Sequence, residues 1–512
     1  MMAETSTVTE RQASAPSTLN SSLKFGMVSL LAYGFSFGKS LLVARYFGTS
    51  TEMDAFTLAV LLPNLLATLL TGGFAISLVP ALAATELKGE SERANTFRAG
   101  LLLFTGIATV AAVLLAIFSP ATMAVVAPGF DASKQKLAAE LLRWCAALLP
   151  LNAVYAYCSA ELLSRKKYIA VAAAPIISTL ISVAALLAFA SSGVKVLAVG
   201  LVAGTLVQAA VAMPAWIANS LHGGVRWWTP EVKRLMREQA PLLVISSFGV
   251  VNVSVDQFMA GLLPSGSAAA LGFANSLSGV VIQTVVMAAS WVLLPELSKL
   301  AVEADHERLR LKMQQSISGI AMVAIPAAIA IFVLGGTAVQ VLFQHGRFDS
   351  NSTQQVSRIW MGYTCGLVPF AVGMVPVRLL NAMRQNQFLV QLGVIAVTIN
   401  AGLDYVLMRW VGPVGISLST SLVYLCSSIL IFRFVRKLVP GIVDRKLWAG
   451  ILRALLVCAP AGAALWMFRQ AFSGVTALVV GGLLFVAIIY AVYLWLGLVH
   501  VPLKKLRTVA AQ

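Results

Sequence analysis

The sequence predicts an all-α polytopic membrane protein with fourteen transmembrane helices, and two observations lead to this prediction. Of the 512 residues, 59% are hydrophobic and only 11% are charged, and the mean hydropathy is +0.86. Apolar runs of about 20 residues, each long enough to cross a bilayer, recur along the whole chain. Because lipid offers the backbone no hydrogen-bond partners, such runs must form helices or a closed barrel. They lack the alternation of barrel strands, so we expect helices.

The predicted spans follow one another with short polar loops between them. Their bounds are 25–47, 55–83, 97–119, 137–163, 168–191, 196–217, 241–263, 268–295, 316–343, 355–382, 387–409, 413–435, 448–468 and 474–499. Residues 1–23 are polar and rich in Ser and Thr, and they lack the basic start and apolar core of a signal peptide. We interpret them as a disordered cytoplasmic tail.

Basic residues are concentrated in every second loop, although the net charge of +17 could by itself suggest a nucleic-acid partner. Lys and Arg enrichment in alternate loops is the pattern that sets membrane topology, and it predicts that both termini are cytoplasmic. No stretch combines aromatic and basic residues into a platform for single strands, so we expect no nucleic acid. The segment that starts at Trp227 and Trp228 is amphipathic and is expected to lie along the inner interface.

The two halves of the chain repeat. The segments at 53–59 and 78–82 match those at 268–274 and 293–297, each with an offset of 215 positions. Each copy contains six spans, an even number, which predicts a parallel repeat. We therefore expect an N-terminal lobe (24–217), a linker (218–240), a C-terminal lobe (241–437), and two further helices with a short basic tail (438–512).

No catalytic or ATP-binding motif is present in the sequence. The four histidines all fall in predicted loops, and no Walker motif or Ser/His/Asp arrangement occurs. The five cysteines stand singly within apolar segments, without the spacing of metal ligands. We therefore expect a transporter rather than an enzyme, driven by an ion gradient, the membrane potential or a downhill flux.

The most informative polar residues lie late in the chain. Asn400 and Asp404 are four residues apart and share one face of a helix, and Ile416 and Thr420 repeat this spacing on the next span. Asp256, another lone carboxylate in an apolar run, is the attractive distant partner. Such a set of oxygens suits a hard cation. The alternative is that Asp404 bonds a neighbouring helix or lies near the membrane face.

If these residues form one site, two carboxylates meet there, and a cation or a shared proton must relieve their repulsion. The oxygens of Asp256, Asn400, Asp404 and Thr420 are then expected to converge, with the two carboxylates closer than about 8 Å. Sodium is the candidate occupant and a proton is its rival. No other cofactor is expected.

Several stretches resemble a known family. ARYFGTSTEMDAFTLAVLLPNLL at 44–66, the segment at 265–300 that ends in LLPELSKL, and LFQHGRFDSNST at 342–353 are similar to landmarks of the MurJ (MviN) lipid II flippases. This family belongs to the multidrug/oligosaccharidyl-lipid/polysaccharide exporter superfamily. The resemblance covers residues 24–500. It implies two six-helix lobes in a V, with two extra helices that form a lipid-facing groove.

The resemblance also bears on the cation site and on the substrate cavity. Some members hold sodium with an Asp, an Asn–Asp pair, a backbone carbonyl and a Thr, and the matching positions are Asp256, Asn400, Asp404, Ile416 and Thr420. The family's charged cavity is only partly kept. Uncharged residues replace its charged positions at Tyr33, Ala67, Thr68, Asn275, Ser276 and Gly279.

Four residues remain as candidates for binding a lipid diphosphate: Lys39, Arg45, Asp54 and Arg378. Lys39 lies mid-span, where a cavity role competes with a structural pair. Arg45 could instead anchor the interface, Arg378 could lie at the cytoplasmic end of its span, and Asp54 could accept hydrogen bonds from its own helix N-terminus. For Glu161 and Arg143, mutual pairing or an interfacial position is the expectation.

The sequence thus favours a bacterial inner-membrane flippase for a polyprenyl-diphosphate-linked saccharide, with lipid II as the substrate that the resemblance implies, in peptidoglycan biosynthesis. A flippase for the lipid-linked oligosaccharide of an exported polysaccharide is the alternative, and a drug/cation antiporter is the third reading, because fold does not fix function. A membrane scaffold that transports nothing is the fourth. The expected partners are the lipid-linked substrate and membrane lipids, and a monomer is favoured.

Overall fold

A computed structural model of the chain describes residues 15–86, 89–213, 224–287, 306–383, 385–442 and 444–495. All regular structure in these ranges is helical, and no strand occurs among them. The described residues fall into two compact units. The first lies within Met1–Ser276, Gly346–Phe348 and Gly393–Ile416, and the second within Leu277–His345, Asp349–Leu392 and Ser417–Gln512.

The first half of the chain contains nine α-helices, and the second half another nine, within the described residues. In chain order they are α1 Ala15–Phe47, α2 Thr51–Thr71, α3 Phe74–Glu86, α4 Glu90–Ile117, α5 Ser119–Val126, α6 Ala132–Cys145, α7 Leu148–Ser164, α8 Tyr168–Phe189, α9 Lys195–Val211, α10 Pro230–Gly261, α11 Ser267–Val281, α12 His306–Phe343, α13 Ser350–Thr364, α14 Leu367–Ala382, α15 Asn386–Val411, α16 Pro413–Leu438, α17 Arg445–Ala471 and α18 Gly474–Trp495.

The polytopic all-α prediction is confirmed. Among the described residues, ten helices are long and apolar enough to cross a membrane, or eleven if the bent pair α13 and α14 is one span. The count of fourteen stays a prediction, in part because the predicted span 268–295 runs into 288–305, outside the described residues. The two-lobe division and the V shape also stay predictions.

The structure differs from the sequence prediction at several helix bounds. Residues 15–23, which we assigned to a disordered tail, are the first turns of α1. The predicted linker 218–240 lies partly outside the described residues, and its last part is continuous with the seventh span in α10. The predicted span 55–83 is interrupted at Gly72 and Gly73, where the positive φ of 89° at Gly73 ends the helical path.

Two helices begin in the same way, one in each half of the chain. Asp131 caps α6 by accepting a hydrogen bond from the Lys134 N–H, and Asp349 caps α13 by accepting one from the Ser352 N–H, both at 2.8 Å. Each of these helices is then followed, after a short break, by a second helix, α7 or α14. This shared order is the one that the predicted repeat requires, and the superposition of the two halves stays a prediction.

We expect the Asp349→Ala variant to unfold more easily by about 1 kcal/mol at neutral pH, the usual cost of losing an N-cap. The Ser352 backbone N–H lowers the pKa of Asp349 from its usual value. Because the folded-state pKa is the lower one, the carboxylate's contribution is complete above its unfolded pKa of about 3.9 and is lost as the pH falls through the folded pKa. Thermal scans in detergent should therefore show a difference from wild type at pH 7 that shrinks in acid. An equal difference at both pH values would contradict this account.

Small residues allow close helix packing in both units. In the first, the Ser182 hydroxyl on α8 donates to the Gly200 carbonyl on α9 at 3.0 Å, and a Cβ at Gly204 would collide with the Ser178 backbone. In the second, the Ser421 hydroxyl on α16 donates to the Gly362 carbonyl on α13 at 2.6 Å. Close backbone approach of this kind is what drives association of helices in lipid, where no hydrophobic effect operates.

A buried ion cluster joins α4 to α7. Both oxygens of Glu161 accept hydrogen bonds from Arg93 at 2.9 Å, and Arg165 donates to the same carboxylate at 2.7 Å. The Arg93 and Glu161 side chains are each 4% exposed. Arg143 instead donates to the Ser119 hydroxyl at 2.9 Å, so the expected pairing of Glu161 with Arg143 is wrong. Glu161 instead pairs with Arg93 on α4, and Arg143 instead bonds Ser119 on α5.

The chain between α1 and α2 interlocks with residues 346–348 in the first unit. The Arg347 N–H donates to the Arg45 carbonyl at 2.9 Å. Gly48 and Gly346 both have positive φ, 57° and 64°. A Cβ at Gly48 would strike the Arg347 carbonyl oxygen, and one at Gly346 would strike the Arg45 carbonyl oxygen. Glycine is therefore required twice, by conformation and by space.

Candidate functional site

The candidate cation site is built on α15, a helix without interruption from Asn386 to Val411. Asn400 and Asp404 are one helical turn apart on it, and both have no exposed surface. A carboxylate and an amide fully buried on one face of a membrane helix are costly unless they have polar partners. The face of α15 that carries them therefore points into the protein and needs polar partners there.

The turn after α15 positions the start of α16. Gly412 has a φ of 61°, its N–H donates to the Met408 carbonyl at 3.0 Å, and its own carbonyl accepts from the Gly415 N–H at 2.9 Å. A Cβ at Gly415 would collide with the backbone at Leu407, so the two helices approach each other as closely as backbones can. Ile416, the predicted carbonyl ligand, is buried in the following turn.

Asp256 reaches the same site from α10, 144 residues earlier in the chain. The Asn400 side-chain nitrogen donates to the Asp256 carboxylate at 2.6 Å and to the Asp404 carboxylate at 3.0 Å. Both carboxylates thus lie within hydrogen-bond distance of one nitrogen atom, well inside the limit of about 8 Å for a shared site. The structure brings Asp256, Asn400 and Asp404 together. It also places Thr420 one turn after Ile416 on α16, with 6% of its surface exposed.

The electrostatics of this cluster favour a bound positive charge. Asp256 is only 3% exposed and Asp404 is not exposed at all, so two ionised carboxylates would repel at short range in a medium of low dielectric. A proton or a cation relieves that repulsion. The described residues contain no group of three or more His, Cys, Asp and Glu side chains that could hold a metal ion. Carboxylate and amide oxygens are the type of ligand that hard cations prefer.

One residue near this cluster escaped the sequence analysis. Asn252 lies four residues before Asp256 on α10, the same spacing as Asn400 and Asp404 on α15. Its side-chain oxygen is buried, and within the described part of the chain it accepts no hydrogen bond. The repeated pattern Asn-x-x-x-Asp was visible in the sequence and would have pointed to it.

The structure does not give Asp54 the bonds to its own helix N-terminus that one alternative suggested, and its substrate role stays a prediction. Its carboxylate accepts hydrogen bonds from Lys134 at 3.0 Å, from the Gly266 N–H at 2.6 Å and from the Ala269 N–H at 2.8 Å. These backbone donors belong to the N-terminus of α11, not to α2. Lys134 was assigned to a loop, and nothing in its local sequence indicated burial.

The three basic candidates have separate environments. Lys39 lies in the membrane-spanning part of α1, partly buried, and within the described ranges no hydrogen bond or ion pair engages it. Arg45 is exposed in the last turn of α1. Arg378 is partly buried on α14, in the second unit. Of the three, Lys39 combines a mid-span position with partial burial, whereas Arg45 is exposed to the surroundings of the helix end.

These features define a class of protein: a polytopic helical membrane protein with ionisable side chains buried within its apolar helices. The sequence profile of the family described as lipid II flippase MurJ matches residues 43–487. The chain belongs to this family.

Relatives from several bacteria agree with this assignment. A protein from Bdellovibrio bacteriovorus named probable lipid II flippase MurJ is 27% identical over 469 residues, which cover 88% of each chain. One from Burkholderia cenocepacia named lipid II flippase MurJ is 26% identical over 435 residues, covering 80% of this chain and 82% of the relative.

Solved structures show the same fold at lower identity. The structure titled lipid II flippase MurJ, inward closed conformation, has a TM-score of 0.80 and 18% identity, and covers 92% of this chain and 99% of its own. An inward-facing multidrug resistance transporter of the MATE family has a TM-score of 0.67 and 14% identity, covering 81% and 95%. Both likenesses show that the chain shares the fold of these structures.

Proposed function

We propose that this protein translocates a polyprenyl-diphosphate-linked saccharide across the bacterial inner membrane, with lipid II as its substrate in peptidoglycan biosynthesis. The family match over residues 43–487 carries the proposal. It is supported by relatives that are named lipid II flippases and share most of their length with this chain. Alternating access, in which the two halves open the substrate path to one side at a time, is the proposed mode of transport.

The proposed driving force is a cation gradient or the membrane potential. The observation that supports it is the buried cluster of Asp256, Asn400 and Asp404, whose two carboxylates share one amide nitrogen. The membrane potential supplies about 2.3 kcal/mol for each charge moved through 100 mV, enough to bias a conformational cycle. Sodium would be held by the carboxylates, by the Asn400 amide once it presents its oxygen, and by the Ile416 carbonyl. Its charge would remove the repulsion between the two acids.

The proposed role of Lys39 is to neutralise the substrate's diphosphate. A diphosphate leaving water needs a nearby cation, and a lysine supplies a compact charge with three donors. Within the described residues Lys39 has no ionic partner of its own, so its charge is available.

A second substrate class is favoured by one observation. The resemblance implies charged cavity residues at six positions where this chain has uncharged ones: Tyr33, Ala67, Thr68, Asn275, Ser276 and Gly279. A lipid-linked oligosaccharide of an exported polysaccharide has a different sugar head group and could be accommodated with a different set of cavity residues. The diphosphate is common to both substrates, so Lys39 keeps its role in either case.

Complementation tests the proposed function. A bacterial strain depleted of its own lipid II flippase is expected to grow when this chain is expressed in its membrane. Failure to restore growth, with the protein present in the membrane at normal level, would reject lipid II as the substrate. Restored export of a lipid-linked oligosaccharide in a strain that lacks that flippase would then support the second class.

Lys39→Ala is expected to reduce complementation at least about tenfold in plating efficiency, because the diphosphate loses its counter-charge in a low-dielectric site. Lys39→Arg keeps the charge and should retain most activity. Lys136→Ala, at an exposed lysine of α6, is the matched control. Normal growth of the Lys39→Ala strain would show that this charge is dispensable.

A further inference from the structure

Lys134 lies at the start of α6, where a lysine would ordinarily point to water, yet it is only 7% exposed. Its ammonium group lies 3.0 Å from the Asp54 carboxylate, 3.4 Å from the Ser265 hydroxyl and 3.7 Å from the centre of the Phe130 ring. The face of an aromatic ring and a carboxylate both stabilise a buried ammonium group, and Lys134 contacts both.

Asp54 connects this lysine to another helix. Its carboxylate accepts from the backbone N–H groups of Gly266 and Ala269, at the N-terminus of α11. The first N–H groups of a helix have no partner within the helix, and its dipole favours an anion there. Asp54 therefore acts as an external cap for α11. The contacts join α2, α6 and α11 at one point of the first unit.

The contacts around Asp54 involve three connections that are predicted to lie on the same side of the membrane. The connections 48–50, 127–131 and 262–266 belong to the loops that hold few basic residues, and these are predicted to face away from the cytoplasm. The Thr51 and Ser265 hydroxyls are 2.9 Å apart across the same junction. If the side of the protein that faces away from the cytoplasm opens during transport, Asp54 must leave the N-terminus of α11. Its carboxylate must then be hydrated or must find another charged partner.

From this geometry we infer that Lys134 is a positioning residue that locks Asp54 onto the N-terminus of α11 and so holds the outer face closed. The inference rests on the proposed transport function. The α11 amides alone compensate only part of a full negative charge, because a helix N-terminus carries about half a positive charge. Lys134 supplies the remainder. Without Lys134, the buried Asp54 carboxylate keeps only the α11 amides as partners. Conformations in which water reaches this carboxylate are then favoured.

The test uses the closeness of the Thr51 and Ser265 hydroxyls. In a chain whose five native cysteines are replaced by alanine, Thr51→Cys and Ser265→Cys introduce a pair that mild oxidant can cross-link when the face is closed. In membranes, adding Lys134→Met is expected to slow cross-linking at least about tenfold, because the closed population falls. Adding Lys134→Arg should restore the parent rate. Lys136→Met, two residues further along α6, should leave it unchanged.

A purely structural lysine would give a different result. Cross-linking of the Lys134→Met chain at the parent rate would overturn the inference, and so would equal slowing by Lys134→Arg. If the Lys134→Met chain does not reach the membrane, Lys134→Gln, which keeps a donor without the charge, carries the same expectation. The cross-linking assay needs no substrate, so it tests the role of Lys134 alone. Lipid II transport is tested separately by complementation.

Discussion

Sodium chloride is expected to raise the melting temperature of the purified wild-type protein above its value in potassium chloride at equal ionic strength, and to have no such effect on Asp404→Ala. A ligand that binds only the folded state stabilises it by about 2.7 kcal/mol at a hundred times its dissociation constant. The physical reason is the pair of buried carboxylates that share the Asn400 nitrogen. Sodium bound by the oxygen atoms of these side chains would take the place of the Asn400 nitrogen. Its positive charge would also neutralise the repulsion between the two carboxylates.

The controls for the sodium experiment separate the ion from general salt effects. Asp131→Asn removes a carboxylate from an exposed helix cap and should keep the full sodium response. Asp256→Asn should lose it, like Asp404→Ala, because the two acids act as one site. Identical melting temperatures of wild type in sodium and potassium would exclude sodium as the occupant and would leave a proton shared between the acids.

Glu161→Ala is expected to lower the free energy of unfolding by about 3–5 kcal/mol, the usual cost of breaking a buried ion pair from one side. Arg93 would then lie buried in an apolar cluster of α4 and α7 without its carboxylate, and Arg165 would lose its nearest acid. Both the melting temperature in detergent and the amount of protein in the membrane should fall.

Two comparisons make the Glu161 prediction specific. Glu140→Ala breaks an ion pair with Lys195 in which both side chains are about half exposed, and it should cost at most about 1 kcal/mol. The double variant Arg93→Met with Glu161→Met removes both charges and should be markedly more stable than Glu161→Ala, because no buried charge is left over. Equal stability of Glu161→Ala and Glu140→Ala would refute the buried-pair account.

The sequence was sufficient for the features that depend on short-range periodicity. The spacing of Asn400 and Asp404 put both on one face of a helix, and the predicted spans 387–409 and 413–435 left only a short turn between them. Composition was enough for the all-α membrane class. The meeting of Asp256 with this pair depends on packing between helices far apart in the chain. The sequence marked Asp256 only as a lone carboxylate in an apolar run, and the family resemblance added the matching positions.

Other features had no signal in the sequence. The break between α6 and α7 lies at Ala146 and Ala147, residues that favour helix, so the apolar run conceals it. The burial of Lys134 follows from a carboxylate 80 residues away. Hydropathy reports the length and composition of a run, whereas these features are decided by which partner the folded chain brings to a residue.

The interlock of Gly48 with Arg347, and of Gly346 with Arg45, has a consequence for genetics. At each glycine, the atom that excludes a side chain is a main-chain oxygen, which every amino acid possesses. A bulkier residue at one position therefore has no compensating smaller residue at the other. In a selection for restored function of the Gly48→Ala variant, we expect revertants to glycine. We expect no second-site suppressor at residues 346–347.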